Sequence, residues 1–298
     1  MKILQTNKIS KSFSKQLVVD NVSMTIEEGD IYGFVGENGA GKTTVIRLIT
    51  GLNIPTSGTF TLFEGNKVPL GSVGAIIENP SIYPQMNAYD NMKAQYMLVG
   101  RKDYDTIPQA LIEVGLEDVI KSKKKAKNFS LGMKQRLGIC LTLVGSPKLM
   151  ILDEPMNGLD PEGIVELRNL ILRLNKERNI TFLISSHLLD ELAKVATRFG
   201  FIHKGKLIKE CTIKEIENNS KRYIEARLDS VNAIEKAFAK KILDYKIVNE
   251  NTIQVFDDIS VVDIVTLLSK KKYQILDIKL VSNESIEDFY LHTIRGGK

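Results

Sequence analysis

The sequence contains few of the residues and segments that mark secreted, redox-active or membrane-spanning proteins. Its 298 residues include no tryptophan and only two cysteines, Cys140 and Cys211. These cysteines have no paired spacing, so we expect neither a disulfide framework nor a cysteine-rich metal site, as in a reducing cytosol. No stretch approaches the roughly 20 consecutive apolar residues that a membrane-spanning helix needs. The first residues lack the apolar segment of a secretion signal, so we expect the chain to stay in the cytoplasm.

The composition is otherwise that of an ordinary globular chain, and its charge is only slightly positive. Hydrophobic residues make up 43% of the sequence and the formal net charge is +5, which favours neither a disordered nor a strongly basic protein. Most of the local positive excess lies in the lysine-rich run 121–127. Because no aromatic residues are interleaved with these lysines, we interpret the run as a solvated loop. We therefore expect no nucleic-acid partner.

Hydrophobic patterns divide the chain into two domains, residues 1–215 and residues 222–298, joined by a polar linker at 216–221. In the first domain, short apolar runs flanked by helical patterns predict a parallel sheet buried on both faces, so the fold class is α/β. We also expect a strand-rich lobe at 1–30 and a helical lobe at 88–144. The elements predicted most directly are the strands Ile31–Val35, Leu149–Leu152 and Ile180–Ile184 and a helix from Lys42 to Thr50.

The second domain is predicted to have the order strand, helix, strand, strand, helix, strand. This order is that of a split, ferredoxin-like α+β domain, and a further helix is expected over 284–294. The domain has no glycine-rich loop and no cluster of histidine or cysteine, so we interpret it as an accessory domain. The predicted segments are Tyr223–Leu228, Val231–Ile242, Lys246–Asn249, Thr252–Phe256, Val261–Lys270 and Tyr273–Val281.

A glycine-rich segment predicts a nucleotide site. The residues from Gly36 to Thr43 match G-x-x-x-x-G-K-[ST], and they follow a predicted strand and open a predicted helix, as the motif requires. Their backbone N–H groups and the helix start can bind phosphate oxygens. Lys42 would reach the β- and γ-phosphates and Thr43 would give its hydroxyl to Mg²⁺, so ATP and Mg²⁺ are the expected ligands. The predicted ATP-binding residues here, which we call the phosphate loop, are Gly36, Glu37, Asn38, Gly39, Ala40, Gly41, Lys42, Thr43 and Thr44.

Two carboxylates and one histidine follow the buried strands of the predicted sheet. Asp153 ends an apolar strand, where its carboxylate can hold Mg²⁺ through water. Glu154, one residue later, points elsewhere and can orient and deprotonate an attacking water. His187 follows the next strand, where its ring can reach a γ-phosphate and hold Glu154 and the water in place. We therefore predict a metal ligand in Asp153 and catalytic residues in Glu154 and His187.

A serine segment, Ser130-Leu131-Gly132-Met133-Lys134-Gln135-Arg136, lies between the phosphate loop and Asp153. In this order the motifs of residues 1–215 resemble the ATP-binding cassette of ABC transporters. The resemblance implies a P-loop NTPase fold, with a RecA-like α/β core, an antiparallel β lobe and a helical lobe. It also implies that two cassettes pair, and that Ser130 and Gly132 of one cassette bind the γ-phosphate held by the other.

The same resemblance implies roles for three further positions. Phe13 stands where the family has an aromatic residue that stacks on adenine, although a place in the hydrophobic core is the alternative for this side chain. Asn157-Gly158-Leu159-Asp160 matches the loop that contacts the opposite protomer, which makes Asp160 a candidate ATP-binding residue. His187 matches the family's switch histidine.

The sequence departs from the family pattern at two informative places. The signature is Phe129-Ser130-Leu131-Gly132-Met133 rather than Leu-Ser-Gly-Gly-Gln, but the serine and the second glycine are kept. The family has glutamine where this chain has Glu78, a position that contacts Mg²⁺ and reports the nucleotide state to the membrane subunit. Glu78 is therefore a candidate metal ligand and catalytic residue. Glu78-Asn79-Pro80 and the altered signature resemble the bacitracin-resistance and lantibiotic self-immunity subgroup.

Our leading hypothesis is the ATPase subunit of an exporter of peptide antibiotics or lantibiotics. It would work with a second ATP-binding subunit, expected to be a second copy, and be attached to the inner face of the cell membrane through an integral-membrane permease. A DNA-maintenance ATPase would carry a long coiled coil, but Lys42 and Ser130 are only 88 positions apart. A translation-type factor resembles two cassettes, and this chain has one. Two alternatives stay open: an ABC ATPase of unrelated cargo, and a regulatory ATPase switch whose C-terminal domain recognises a partner.

Overall fold

The computed structural model describes most of the chain, namely residues 1–14, 16–219, 222–231, 234, 238, 244–257, 259–282, 286, 289–290 and 293–294. The chain folds as a first unit, Met1–Ile213, and a second unit, Lys214–Phe289, and Tyr290 belongs to the first unit. Within the described residues, no helix is both long enough and apolar enough to cross a lipid bilayer.

The N-terminal strand lobe is an antiparallel sheet, as the sequence predicts. Strand β1 lies at its centre and pairs with β2, β3 and β5. The apolar side chains of β1, such as Ile3, Leu4 and Ile9, are fully buried, and they pack with Val45 and Ile46 of the helix that follows the phosphate loop. The strands of this sheet are β1 Lys2–Phe13, β2 Gln16–Val22, β3 Thr25–Glu27 and β5 Ser57–Leu62.

The central sheet of the first unit has the order β10-β9-β4-β8-β7-β6 among the described residues. The pairs from β9 to β6 are parallel, and β10 is antiparallel to β9. Every residue of β4, β7 and β8 is buried, which explains their continuous apolar sequences. The predicted buried strands are confirmed, and β8 continues two residues beyond Ile184. The strands are β4 Ile31–Val35, β6 Val73–Ile76, β7 Leu149–Asp153, β8 Thr181–Ser186, β9 Arg198–His203 and β10 Lys206–Thr212.

The predicted helical lobe is confirmed as a set of short helices inserted between β6 and β7. Polar side chains cap three of the first unit's helices: the side-chain oxygens of Asn87, Ser130 and Asp160 accept hydrogen bonds from the N–H groups of Asp90, Met133 and Gly163. The helices of the first unit and the junction are α1 Lys42–Ile49, α2 Ala88–Leu98, α3 Ile107–Glu113, α4 Leu131–Leu143, α5 Pro161–Arg178, α6 Leu189–Ala193 and α7 Ile213–Asn219.

The lysine-rich run at 121–127 lies in this lobe. Its lysines are exposed, as expected for a solvated loop, whereas Ala126 is buried.

The second unit contains an antiparallel sheet with the order β12-β13-β11-β14 among the described residues. This order and these pairings agree with the expected ferredoxin-like arrangement. The helix expected over 231–242 lies mostly outside the described residues, and so does much of the one expected over 284–294, so the full architecture stays a prediction. The described elements are β11 Arg222–Leu228, β12 Tyr245–Asn249, β13 Thr252–Val255, α8 Val261–Lys270 and β14 Ile275–Ser282.

The linker expected at 216–221 is partly wrong. Residues 216–219 belong to α7, while 220 and 221 lie outside the described residues. The sequence of this segment is mostly polar, but α7 has a short apolar face. Ile213 is half-buried, and Ile216, three positions later and about one helical turn away, is buried.

Tyr290 connects the C-terminal end of the chain to the phosphate loop. Its ring centroid lies 5.8 Å from that of Phe201 on β9, and its hydroxyl oxygen accepts a hydrogen bond of 3.2 Å from the Glu37 N–H. Burial raises the pKa of the Tyr290 hydroxyl above its ordinary value. The segment after the second unit therefore touches a functional element of the first.

We expect that deleting residues 222–298 leaves a folded first unit that still binds ATP. The central sheet and the phosphate loop lie before residue 214, and a unit with its own core tolerates such a cut. Circular-dichroism melting and titration with fluorescent ATP would measure this. Tyr290→Phe in the full chain is the matched control, since it removes only a hydrogen bond worth about 1 kcal/mol. A truncated chain that is insoluble or binds no nucleotide would show that the two units share a core.

Candidate nucleotide site

The parallel register of the central sheet brings three chain segments to one edge. Val35, at the end of β4, pairs with Ser186 of β8, and Asp153, at the end of β7, pairs with Ser185. The residues that follow these strands therefore leave the sheet at the same level. They are the phosphate loop, Glu154 and His187, and the structure brings them together as the sequence predicts.

The phosphate loop surrounds a cavity of about 230 Å³. Gly41 has a φ of 105°, a conformation that side-chain-bearing residues rarely adopt, and it immediately precedes α1. The first N–H groups of α1 have no partner within the helix, so they are available to an anion. The residues that line this phosphate-loop cavity are Val18, Glu37, Asn38, Gly39, Gly41, Lys42, Thr43, Thr44 and Glu154.

Lys42 and Glu154 form the charged centre of the site. The Lys42 ammonium donates hydrogen bonds to the carbonyl oxygens of Gly36, at 2.6 Å, and Glu37, at 3.2 Å. Its Nζ lies 3.0 Å from Glu154 Oε1, whereas Glu154 Oε2 lies 2.8 Å from His187 Nδ1. Because Lys42 is only 5% exposed, its charge needs these nearby partners. The contact between Lys42 and Glu154 is an ion pair without hydrogen-bond alignment. An anion that enters the cavity therefore competes with Glu154 for Lys42 without having to break a well-aligned hydrogen bond between them.

Asp153 and Glu154 are adjacent in sequence but have different surroundings. Asp153 is 3% exposed and its Oδ1 accepts a hydrogen bond from Ser185 Oγ. Glu154 has a φ of 50°, which turns its side chain away from the strand direction. Its N–H lies 3.0 Å from Ser185 Oγ and 3.1 Å from the Ser185 carbonyl oxygen, so the turn is fixed by β8. The predicted divergence of the two carboxylates is present.

A second cavity, of about 320 Å³, lies beside the first. We call it the carboxylate cavity, and it contains all three residues predicted as metal ligands. A hydroxyl and carboxylates are hard oxygen donors, and Mg²⁺ typically takes one or two protein carboxylates with phosphate and water completing its shell. The donor set therefore fits Mg²⁺. The lining residues are Thr43, Glu78, Asn79, Leu131, Gln135, Asp153, Glu154 and Asn157.

Glu78 has an ion-pair partner that the sequence analysis missed. Its Oε1 lies 2.7 Å from a guanidinium nitrogen of Arg47 on α1, and its backbone has a φ of 62°. The Glu78 side chain is 59% exposed. An exposed ion pair of this kind contributes about 0–1 kcal/mol to stability, so Arg47 restrains Glu78 only weakly.

The residues expected to act on a second copy lie elsewhere in the first unit. Ser130 begins α4 and Asp160 begins α5, and Gly132 lies beside Leu159 and Gly163. As far as the described residues go, Ser130, Gly132 and Asp160 line neither cavity. Their role at another protomer's nucleotide stays a prediction.

Phe13 lies at the end of β1, and its ring is 46% exposed. Its alternative place in the hydrophobic core is therefore wrong. The Lys11 ammonium lies 5.2 Å from the ring centroid. Val18, which the sequence analysis did not single out, is the β2 residue that lines the phosphate-loop cavity.

Sequence similarity to known proteins extends over both units of the chain. A family model described as ABC transporter matches residues 19–157. The bacitracin transport ATP-binding protein BcrA of Bacillus licheniformis is 39% identical over 305 aligned positions, which cover 99% of this chain and 98% of that protein. The lantibiotic transport ATP-binding protein SrtF of Streptococcus pyogenes is 44% identical over 219 positions, covering 72% of this chain and 93% of that protein.

The fold is similar to solved ATP-binding cassettes. The cbiO1 protein of Clostridium perfringens, part of the ABC transporter complex cbiONQ, has a TM-score of 0.64 at 26% identity, over 73% of this chain and 91% of that one. The ADP conformation of MJ1267, an ATP-binding cassette of an ABC transporter, has a TM-score of 0.65 at 26% identity, over 74% of this chain and 96% of that one.

We expect Lys42→Ala to abolish most ATP binding, because it removes the buried positive charge beside the phosphate-loop cavity. Titration with fluorescent ATP would measure the loss. Lys206→Ala is the matched control, since Lys206 is an exposed lysine paired with Asp20. A Lys42→Ala protein with near-normal nucleotide affinity would contradict the assignment of the phosphate loop.

Proposed function

Because the chain belongs to the ATP-binding proteins of ABC transporters, we propose that it powers export of a peptide antibiotic of the bacitracin or lantibiotic kind. Family membership makes it an ATP-hydrolysing transport subunit with the P-loop cassette fold. The observation that carries the cargo class is the similarity, along nearly the whole of both chains, to a bacitracin transport ATP-binding protein. The Glu78-Asn79-Pro80 sequence, which resembles the same subgroup, supports this class.

In this proposal the phosphate loop binds the phosphates of ATP through its N–H groups and Lys42. On binding, Lys42 would leave Glu154 Oε1 and turn to the phosphates, which would exchange one anionic partner for another. Thr43, Asp153 and Glu78 would hold Mg²⁺, which supplies positive charge that stabilises the phosphates during transfer. Phe13, with its exposed ring, would stack on the adenine.

The arrangement of Glu154 supports its role as the general base. Its two oxygens have separate partners, Lys42 at Oε1 and His187 at Oε2. When Lys42 turns to the phosphates, Oε1 becomes available to accept a proton from water, while His187 continues to hold Oε2. Oε1 is buried, so a proton acceptor at this place is shielded from competing solvent. In this proposal His187 positions the base.

The proposed assembly has two cassettes and a membrane permease. Ser130, Gly132 and Asp160 would contact the nucleotide held by a second ATP-binding subunit, expected to be a second copy of this chain. The permease would hold the pair at the inner face of the cell membrane. ATPase activity measured with and without the permease tests the pairing, and growth of a sensitive host in bacitracin or a lantibiotic tests the cargo. If the chain hydrolyses ATP but confers no resistance when it is expressed with its permease, the proposed cargo class is wrong.

A second candidate function is a regulatory ATPase switch in which the C-terminal part of the chain recognises a partner. The observation that favours it is the hydrogen bond that the Glu37 N–H donates to Tyr290, because Tyr290, a residue of the first unit, directly follows the second unit in the sequence. A transport subunit is stimulated by its permease, whereas a switch hydrolyses ATP at a rate that no permease changes. The ATPase comparison above separates the two.

We expect Glu154→Gln to bind ATP but to hydrolyse it on the order of 10²–10⁴ times more slowly, the usual worth of a positioned general base. The stalled protein should form an ATP-dependent dimer, because unhydrolysed ATP stays between two cassettes. Size-exclusion chromatography and phosphate release would measure both effects. Glu177→Gln, at an exposed position late in α5, is the matched control. A Glu154→Gln protein that stays monomeric in excess ATP would count against the base and the paired assembly.

We expect Glu78→Gln to change basal ATP hydrolysis only mildly but to reduce resistance more strongly. The Glu78 loop, residues 77–83, joins the sheet to the helical lobe: Asn91 of α2 accepts a hydrogen bond from the Tyr83 N–H and donates one to the Tyr83 carbonyl oxygen. A change at Glu78 is thus in a position to affect contact with a permease.

Arg47→Ala is the matched control for this variant, since it breaks the same ion pair without creating an amide. ATPase activity and resistance would be measured on the same preparations and strains. Equal losses of both in Glu78→Gln would make Glu78 an ordinary ligand of the hydrolytic site.

A further inference from the structure

At the carboxylate cavity, the buried side-chain oxygen of Gln135 has no hydrogen-bond partner among the described residues. Gln135 is 4% exposed, and its side-chain Oε1 is buried and accepts no hydrogen bond from the described residues. Leaving an amide oxygen without a hydrogen bond in a protein interior is unfavourable, so such groups are normally paired with protein or water. Gln135 also lines the carboxylate cavity, so a donor bound in that cavity is close to its side chain.

The position of Gln135 follows from the packing of α4. Gln135, Gly138 and Thr142 are three or four positions apart, so they lie on one face of the helix. A Cβ at Gly138 would lie 2.5 Å from Pro80 Cβ, and a Cβ at Gly74 would lie 3.1 Å from Thr142 Cβ. This face of α4 therefore packs against β6 and the start of the Glu78 loop. Gln135 extends the same face to Glu78 and Asn79, at the edge of the cavity.

The chemistry of the cavity indicates what the amide binds. Glu78, Asp153 and Glu154 are carboxylates, which at neutral pH accept hydrogen bonds but donate none. A water molecule that donates one hydrogen to a carboxylate has a second hydrogen to place. The Gln135 oxygen can accept that second hydrogen. A polar cavity of this size has room for several waters.

We infer that Gln135 is a positioning residue of the hydrolytic site, whose side-chain oxygen holds a water between the carboxylates of the cavity. The inference rests on the proposed function, since the water is the one that ATP hydrolysis consumes or one that neighbours it. Gln135 is five positions after Ser130, about 7.5 Å along the helix axis. The same rigid helix thus carries a residue for this cassette's own site and one proposed for the site of the second cassette.

The test separates a role in the site from a role in folding. Gln135→Met keeps the length and shape of the side chain but removes the oxygen. We expect the full-length variant to lose kcat for ATP by about 10- to 100-fold, the range for a misplaced reacting group. We expect its melting temperature to stay the same or rise, because an unpartnered buried oxygen has been removed. Its affinity for ATP without Mg²⁺ should be unchanged, since Gln135 does not line the phosphate-loop cavity.

Two further variants serve as comparisons. Gln135→Glu keeps an acceptor oxygen at the same place, so it should retain more kcat than Gln135→Met. Thr142→Val makes a polar-to-apolar change on the same face of α4, two turns away, and should leave kcat unchanged.

The inference is overturned if Gln135→Met keeps its kcat, or if its kcat and melting temperature fall together, as for a purely structural residue. Equal kcat in the Met and Glu variants overturns it as well. These outcomes are distinct from failure of the proposed function, in which the wild-type chain itself would hydrolyse no ATP.

Discussion

The parallel pairing of β8 with β4 and β7 determines where Lys42, Glu154 and His187 can lie. The strands are buried on both faces, so their register is fixed by packing and cannot slip without moving apolar side chains into polar positions. With that register, Glu154 leaves β7 directly beside Ser185, and two hydrogen bonds hold its N–H there. Only then does Glu154 meet Lys42 from one side and His187 from the other. The placement of these charged groups thus depends on the hydrogen bonds that one backbone N–H donates to the hydroxyl and the carbonyl oxygen of Ser185.

The contacts of Lys42 and Glu154 leave the phosphate-loop cavity suited to binding an anion. The Lys42 ammonium is buried, so its charge would destabilise the fold without negatively charged or polar partners. Its contact with one of these partners, Glu154, is an ion pair that lacks hydrogen-bond alignment. Replacing that contact with phosphate oxygens retains the compensation of the lysine and changes the surroundings of the carboxylate. In the proposed mechanism, this single displacement would couple nucleotide binding to the availability of the base. His187, which contacts the other carboxylate oxygen, keeps the side chain from following Lys42.

Much of the first unit could be predicted because its signals are local. The phosphate loop, the buried strands and the paired carboxylates each occupy a few consecutive residues, and parallel strands bring their ends to one edge. Tyr290 could not be predicted, because its contact with Glu37 joins positions far apart and its surrounding sequence has no distinguishing pattern. The Arg47–Glu78 pair was missed for the same reason. The α7 helix was mistaken for a linker because one buried isoleucine among polar residues is a weak signal.

Helix α4 is where packing and chemistry are most closely connected. Gly138 lies in the interior of this helix, where glycine costs up to about 1 kcal/mol relative to alanine. A methyl group there would collide with Pro80, two positions after Glu78, so the glycine permits the Glu78 loop to rest directly on the helix. Contact this close means that α4 cannot move toward the loop without displacing it. Ser130 and Gly132, at the start of α4, are therefore joined by direct packing to the Glu78 loop, which lies beside the oxygen donors proposed for Mg²⁺.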